Sequence, residues 1–164
     1  MKAADEARLF SLFQQRWAAL GTRAANAEQI EPYVSWVGFL VLPDLSGLVM
    51  HLSRLAPHTR NLLAHGRASL SVSEADGGVV NPQELARMSV RGNVLELARD
   101  DVNYAALKTA YIERFPESEM LFEFADFSLF ILKPDECRYV EGFASTHRFK
   151  SEQLRDIALS HSSS

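Results

Sequence analysis

The sequence predicts a mainly β, α+β fold: an antiparallel barrel of six to seven strands with helices at its ends. Three observations carry this. Several stretches of strand length are rich in β-branched and aromatic residues, or alternate apolar with polar side chains. Only one or two helical patterns fall between them, too few for the strand–helix–strand alternation of a parallel sheet. The chain has 164 residues, 47% of them hydrophobic, enough for one domain with a substantial core.

Taken in order, residues 5–16 have helical spacing, with Leu9, Phe10, Leu12, Phe13 and Trp17 on one face. Residues 17–23 read as a first short strand and 24–30 as a polar connection. Residues 32–42 are apolar on both faces, which predicts a strand at the sheet centre or at a subunit interface. Residues 43–47 form a turn, and Leu48, Met50 and Leu52 then alternate with Val49, His51 and Ser53 in a half-buried strand. Pro57 suits a helix start and Gly66 a left-handed helix end, with Leu62 and Leu63 between them as the apolar face. Ala68, Leu70 and Val72 alternate with serines in the next strand.

After an acidic, glycine-containing loop, residues 87–97 form a long strand whose apolar phase slips near Gly92, the mark of a bulge. Asp101 is placed to cap a helix that runs to about Arg114 and stops at Phe115-Pro116, with Tyr104, Leu107 and Tyr111 as its apolar stripe. Residues 126–132 and 137–144 give two strands around a turn at Pro134-Asp135. Ser151 opens a last amphipathic helix, and residues 161–164 read as a frayed tail. The organisation expected is one domain over 1–164: an N-terminal helix (1–16), a barrel (17–149) and a C-terminal helix and tail (150–164).

The chemistry concentrates between the strand ending at Ser53 and the helix opening at Pro57. Ser53, Arg54, His58, Thr59 and Arg60 gather two guanidiniums, two hydroxyls and an imidazole where helix N–H groups lack partners. That chemistry suits a phosphate. There is no glycine-rich cradle of the P-loop kind. Net charge is −4, so electrostatics gives no reason to expect nucleic acid or an anionic membrane as partner. Apolar runs fall short of a membrane span, and the N-terminus lacks the apolar core of a signal peptide, so a cytoplasmic location is expected. Cys137 is the only cysteine, which excludes an internal disulfide and signals no metal site.

The segments PYVSWVGF, HLSRLAPHTRNLLAHGRASL, RMSVRG, DFSLFILKP and YVEGF together resemble the FMN-binding split-barrel proteins related to pyridoxamine 5′-phosphate oxidase. The likeness runs from about Trp17 to Phe149, and its last two segments look closest to the heme-utilisation, HugZ/HutZ-like branch. It implies a homodimer with FMN at the subunit interface and an oxidoreductase acting on a small molecule. By resemblance, Leu52, Ser53 and Arg54 end the strand that lines the phosphate pocket, with His58, Thr59 and Arg60 beside it. Ser35, Trp36 and Val37 match the strand along the flavin ring, and Arg87 a position reaching FMN from the opposing strand or subunit. Ser35 and Leu40 stand where the oxidase has an Arg and a Lys, so pyridoxamine 5′-phosphate oxidation is not expected.

The heme branch offers its own expectation, a heme-binding or heme-degrading protein. Asp126 matches an acidic residue of that branch's heme site, and His161 is nearest to its C-terminal histidine ligand, with His147 the other candidate. A third reading is a non-catalytic dimeric flavin-binding module. No nucleophile-and-base constellation is present in the sequence, and none is needed where a cofactor does the chemistry.

Overall fold

The computed structural model describes residues 3–25, 28, 30–142 and 145–162. The order is α1 (Ala3–Phe13), β1 (Trp17–Arg23), β2 (Pro32–Gly38), β3 (Leu40–Val41), β4 (Leu48–Ser53), α2 (Pro57–His65) and β5 (Arg67–Ser73). There follow β6 (Arg87–Leu97), α3 (Tyr104–Arg114), β7 (Phe127–Gly142), β8 (Ser145–Lys150) and α4 (Ser151–Ser162). Short 3₁₀ segments lie at Pro82–Glu84 and Pro116–Glu123. The eight strands form one antiparallel sheet in the order β2-β1-β5-β6-β7-β4-β3, with β8 on the second half of β7, and the sheet curls into a half barrel.

The concave side holds the main core. Leu20, Leu48, Met50, Leu70, Val90 and Phe130 contribute from the strands, and Leu9, Leu12 and Phe13 of α1 and Leu154 of α4 close it, each at most 1% exposed. A second cluster lies across the sheet from it. There Val49 and Leu129 meet Tyr111, Phe115 and Phe122 from α3 and the 3₁₀ segment after it. β4 runs between the two clusters, so its first five residues are buried on both faces rather than on the single face its alternation predicts.

Residues 126–142 do not turn at Pro134-Asp135. β7 is one strand of 16 residues. Glu136 pairs with Arg91 and Pro134 with Gly92, which leaves Asp135 without an opposite number: a bulge. Proline has no N–H to lose there, and the bend lets β7 pair with β4 along its first half and with β8 along its second. Residues 143 and 144, the end of the predicted strand, lie outside the described residues.

Other expectations need correction. β2 is an edge strand, not a central one, with Val34 and Trp36 exposed. Trp17 leaves the helix face and begins β1, exposed. α3 begins three residues after Asp101, whose carboxylate accepts the Asn103 N–H at 2.8 Å. β8 has no clear apolar alternation and was not foreseen. α4 continues through His161, which stacks on Phe10 rather than fraying.

The end of α2 follows expectation. Gly66 sits at φ 60° and its N–H donates to the Leu62 carbonyl at 2.7 Å. Gly66→Ala is expected to lower stability by about 1 kcal/mol, because a Cβ is disfavoured in this conformation. Urea denaturation measures it; an unchanged midpoint would show that the backbone there relaxes freely.

Candidate functional site

At the β4–α2 corner the expected residues do come together, but they already have partners. The Ser53 hydroxyl donates to Asp126 Oδ2 at 2.7 Å and accepts the Leu55 N–H at 3.1 Å. The Arg54 N–H donates to the Asp126 carbonyl at 2.6 Å, and its guanidinium pairs with the Glu96 carboxylate. Arg60 Nη1 donates to the Leu55 carbonyl at 3.2 Å. Thr59 is fully buried with its hydroxyl unpartnered, and burial pushes the pKa of the half-buried His58 imidazole down. A phosphate here would face two carboxylates and would have to displace one to reach Arg54. The Ser53–Asp126 bond and the Arg54–Glu96 pair therefore do not fit a dianion docked at this corner. Asp126, the residue matched to a heme site, instead ties the end of β4 to the start of β7.

The other candidates lie elsewhere. On the convex face of the sheet is an open depression of about 540 Å³, lined by Trp17, Trp36, Ser71, Arg87, Ser89 and Arg138 among others. The two indoles are nearly parallel, with ring centroids 6.2 Å apart, and are 58% and 59% exposed. Arg87 lines this depression, but its guanidinium donates to the carbonyls of Gln83 at 3.2 Å and Leu85 at 3.1 Å. Ser35 and Val37 alternate with Trp36 and point to the other face, as Leu52 does from β4. The expected set is thus divided: Ser53, Arg54, His58, Thr59 and Arg60 at the corner, Trp36 and Arg87 on the face, and Ser35, Val37 and Leu52 behind it.

None of the five histidines lines the depression. His147 lies 3.2 Å from Glu141 and 3.3 Å from the Ser145 hydroxyl, and His161 stacks on Phe10 with ring centroids 3.9 Å apart. Burial pushes the Cys137 thiol up to about 12, so it offers no thiolate. No cluster of three or more potential metal-ligating His, Cys, Asp or Glu side chains occurs among the described residues. Sequence reasoning missed Trp17, Arg138 and Arg148 as surface features. For Arg138 the signal was available as exposed, period-2 serines and arginines in β5, β6 and β7, which only strand register assembles; Trp17 in β1 and Arg148 in β8 had no such local signal.

A curled antiparallel half-barrel sheet with flanking helices is the split-barrel fold; a protein of the pyridoxinephosphate oxidase family from Clostridium acetobutylicum shares it, with a TM-score of 0.67 at 14% identity over 94% of this chain and 99% of that one. The chain belongs to the family described as CREG, beta-barrel, whose profile matches residues 1–154. Among curated proteins it is 26% identical over 146 residues to the heme oxygenase HutZ of Vibrio cholerae, covering 88% of this chain and 81% of that protein. It is 29% identical over 99 residues to the chloroplastic non-canonical heme oxygenase HOZ of Arabidopsis thaliana; the match takes in 59% of this chain but only 28% of HOZ. Among solved structures, a heme binding protein from Mycobacterium smegmatis superposes with a TM-score of 0.80 at 23% identity, over 95% of this chain and 61% of that one. An FAD-binding protein from Mesorhizobium loti superposes with a TM-score of 0.61 at 16% identity, over 84% of this chain and 92% of that one. No helix among the described residues is long and apolar enough to cross a membrane.

Proposed function

We propose that this chain binds heme on the convex sheet face, in a cleft that a second copy completes, and takes part in heme breakdown. The observation that carries the reading is the depression floored by the Trp17 and Trp36 rings and edged by arginines. A flat macrocycle stacks on indoles, and arginines suit its carboxylates. The sequence alone favoured FMN, but that preference leaned on the β4–α2 corner, where Glu96 and Asp126 occupy the groups a phosphate needs. HutZ and HOZ being heme oxygenases supports the same direction.

Bound heme supplies the iron at which oxygen is activated. The chain's own part is to bind and orient the ring and to limit water at it. No histidine lines the depression, so an imidazole that would hold the heme iron would come from outside it; His161 of a second copy, exposed near the C-terminal end of α4, is the candidate. The exposed edge strand β2, with Val34 and Trp36, supports pairing of two copies across this face.

Hemin titration is expected to give a saturable Soret shift that His161→Ala displaces or abolishes. Absence of any shift overturns the reading. A second reading, flavin bound at the corner, keeps one specific support: the buried, unpartnered Thr59 hydroxyl at the start of α2. Protein reconstituted with excess FMN and desalted is expected to emerge colourless; a retained yellow chromophore, lost in Thr59→Val, would reverse the order of the two readings.

A further inference from the structure

We infer that Arg138 and Arg148 form a dedicated anion subsite at one end of the ligand face, taking the carboxylate or phosphate end of a planar ligand whose ring lies toward the tryptophans. The strand register makes the case. Trp36 pairs with Ala19, Ala19 with Ser71, Ser71 with Ser89, Ser89 with Arg138, and Arg138 with Arg148. Directly opposed residues share a face, so these six side chains form one row across six strands. The row runs from an indole, through two hydroxyls, to two guanidiniums. With about 4.8 Å between strands, Ala19 and Arg138 stand roughly 14 Å apart, the scale of a flat polycyclic ligand with an anionic tail.

The two arginines are the unusual part. Like charges directly opposite each other in a sheet are unfavourable. Outside the strand ladders that their backbones join, neither the Arg138 nor the Arg148 guanidinium has a hydrogen bond or ion pair among the described residues. The neighbouring row shows what neutralisation looks like: Glu136 lies 3.4 Å from both Arg91 and Lys150. That carboxylate is committed, and Arg87 is held by loop carbonyls. Between the rows lies a second depression of about 250 Å³, lined by Ser69, Ser89, Arg91, Glu136, Arg138 and Arg148, which shares Ser89 and Arg138 with the larger one. The Ser71 and Ser89 hydroxyls bond each other at 2.7 Å, and that bond can turn to donate outward. A negatively charged tail is the missing partner of this geometry. Both heme carboxylates and a flavin phosphate satisfy it, so the inference rests on the convex face being the ligand face and not on which ring binds.

The test uses the chain's own reporters, since both of its tryptophans line this face. Indole quenching is followed on titration with hemin, with FMN, and with inorganic pyrophosphate as an anion without a ring. For whichever ring quenches the wild type, Arg138→Gln/Arg148→Gln is expected to weaken binding at least about tenfold and to flatten its dependence on salt, the loss of charge-assisted bonds. Arg148→Lys should retain most of the affinity, and hemin dimethyl ester should bind wild type and double variant alike. The melting temperature of the double variant should be unchanged or raised, because a like-charge pair is relieved, which separates lost recognition from lost structure. Hemin failing while FMN binds in an arginine-dependent way removes the heme reading and keeps the subsite. If neither ring quenches, pyrophosphate raising the melting point of wild type but not of the double variant keeps the subsite alone. Unchanged affinities for every probe in the double variant overturn it.

Discussion

Gly92→Ala is expected to destabilise the protein by about 3–5 kcal/mol, near the top of the range for a single substitution that crowds packed atoms. Gly92 faces the bulge in β7, and a Cβ there would land on the Lys133 carbonyl group, 2.7 Å from its carbon, and 3.1 Å from Pro134 Cα. These are backbone atoms, so no side chain can swing aside. Relief requires shifting the β6–β7 ladder where β7 changes partners from β4 to β8. For a chain of this size the loss corresponds to a fall in melting temperature of roughly 10 °C. Gly77, with nothing within 4 Å of an added Cβ, is the control, and Gly77→Ala should melt close to wild type. A Gly92→Ala protein melting like the control would mean that the bulge is not a fixed hinge of the sheet.

The second large effect is acid sensitivity centred on His51. Its ring is 8% exposed, stacks on Phe122 with centroids 3.7 Å apart, meets Tyr111 edge-on at 5.8 Å, and has neither nitrogen hydrogen-bonded. Burial pushes its pKa from 6.5 down to about 4, and the positive charges of Arg99 and Lys108 add to the shift. Above pH 6.5 the imidazole is neutral in folded and unfolded chains alike, and pH has no leverage through it. As pH falls from 6.5 toward 4 the unfolded chain takes up the proton and the folded one does not, so stability drops, by on the order of 3 kcal/mol across that window. Glu74, held low by its hydrogen bonds with Arg8, adds its own loss only below its ordinary value of 4.5. His51→Phe should remove most of the loss between pH 6.5 and 4, leaving the part contributed by His58, whose pKa burial also lowers. It should also raise stability at neutral pH by about 1–2 kcal/mol, since two orphaned polar atoms disappear from an aromatic cluster. Denaturation midpoints from pH 7.5 to 4 measure both. A variant with the wild-type slope over that range would place the acid sensitivity elsewhere.

The two positions show what could and could not be read from the chain. The irregularity expected near Gly92 is there, as a register shift at Arg91/Gly92, although the buried face of β6 runs unbroken through Met88, Val90, Gly92 and Val94. Pro134-Asp135 on the facing strand read as a turn, because proline followed by aspartate is ordinary turn chemistry. A proline inside a strand is tolerated at a bulge, and this bulge in β7 shows only against Gly92 on the facing strand, some forty residues away in sequence. His51 read as the polar side of a half-buried strand, since nothing local announces that Phe122 will cover it.

The corner and the convex face divide the same way. Ser53, Arg54, His58, Thr59 and Arg60 are consecutive or nearly so, and their gathering needed only a strand end and a helix start. Their neutralisation by Glu96 and Asp126 depends on β6 and β7 arriving alongside. Trp36, Ser71, Ser89, Arg138 and Arg148 are scattered over more than a hundred residues and acquire meaning only as one row.

Local periodicity, proline and glycine placement and residue chemistry determined the element types, the antiparallel class, the left-handed stop at Gly66 and the cationic corner, because each rests on interactions within a few residues. The tertiary structure alone decided which faces are covered twice, which strand lies at an edge, which charges are already paired and which remain bare, because burial and pairing are properties of neighbours brought together from distant parts of the chain.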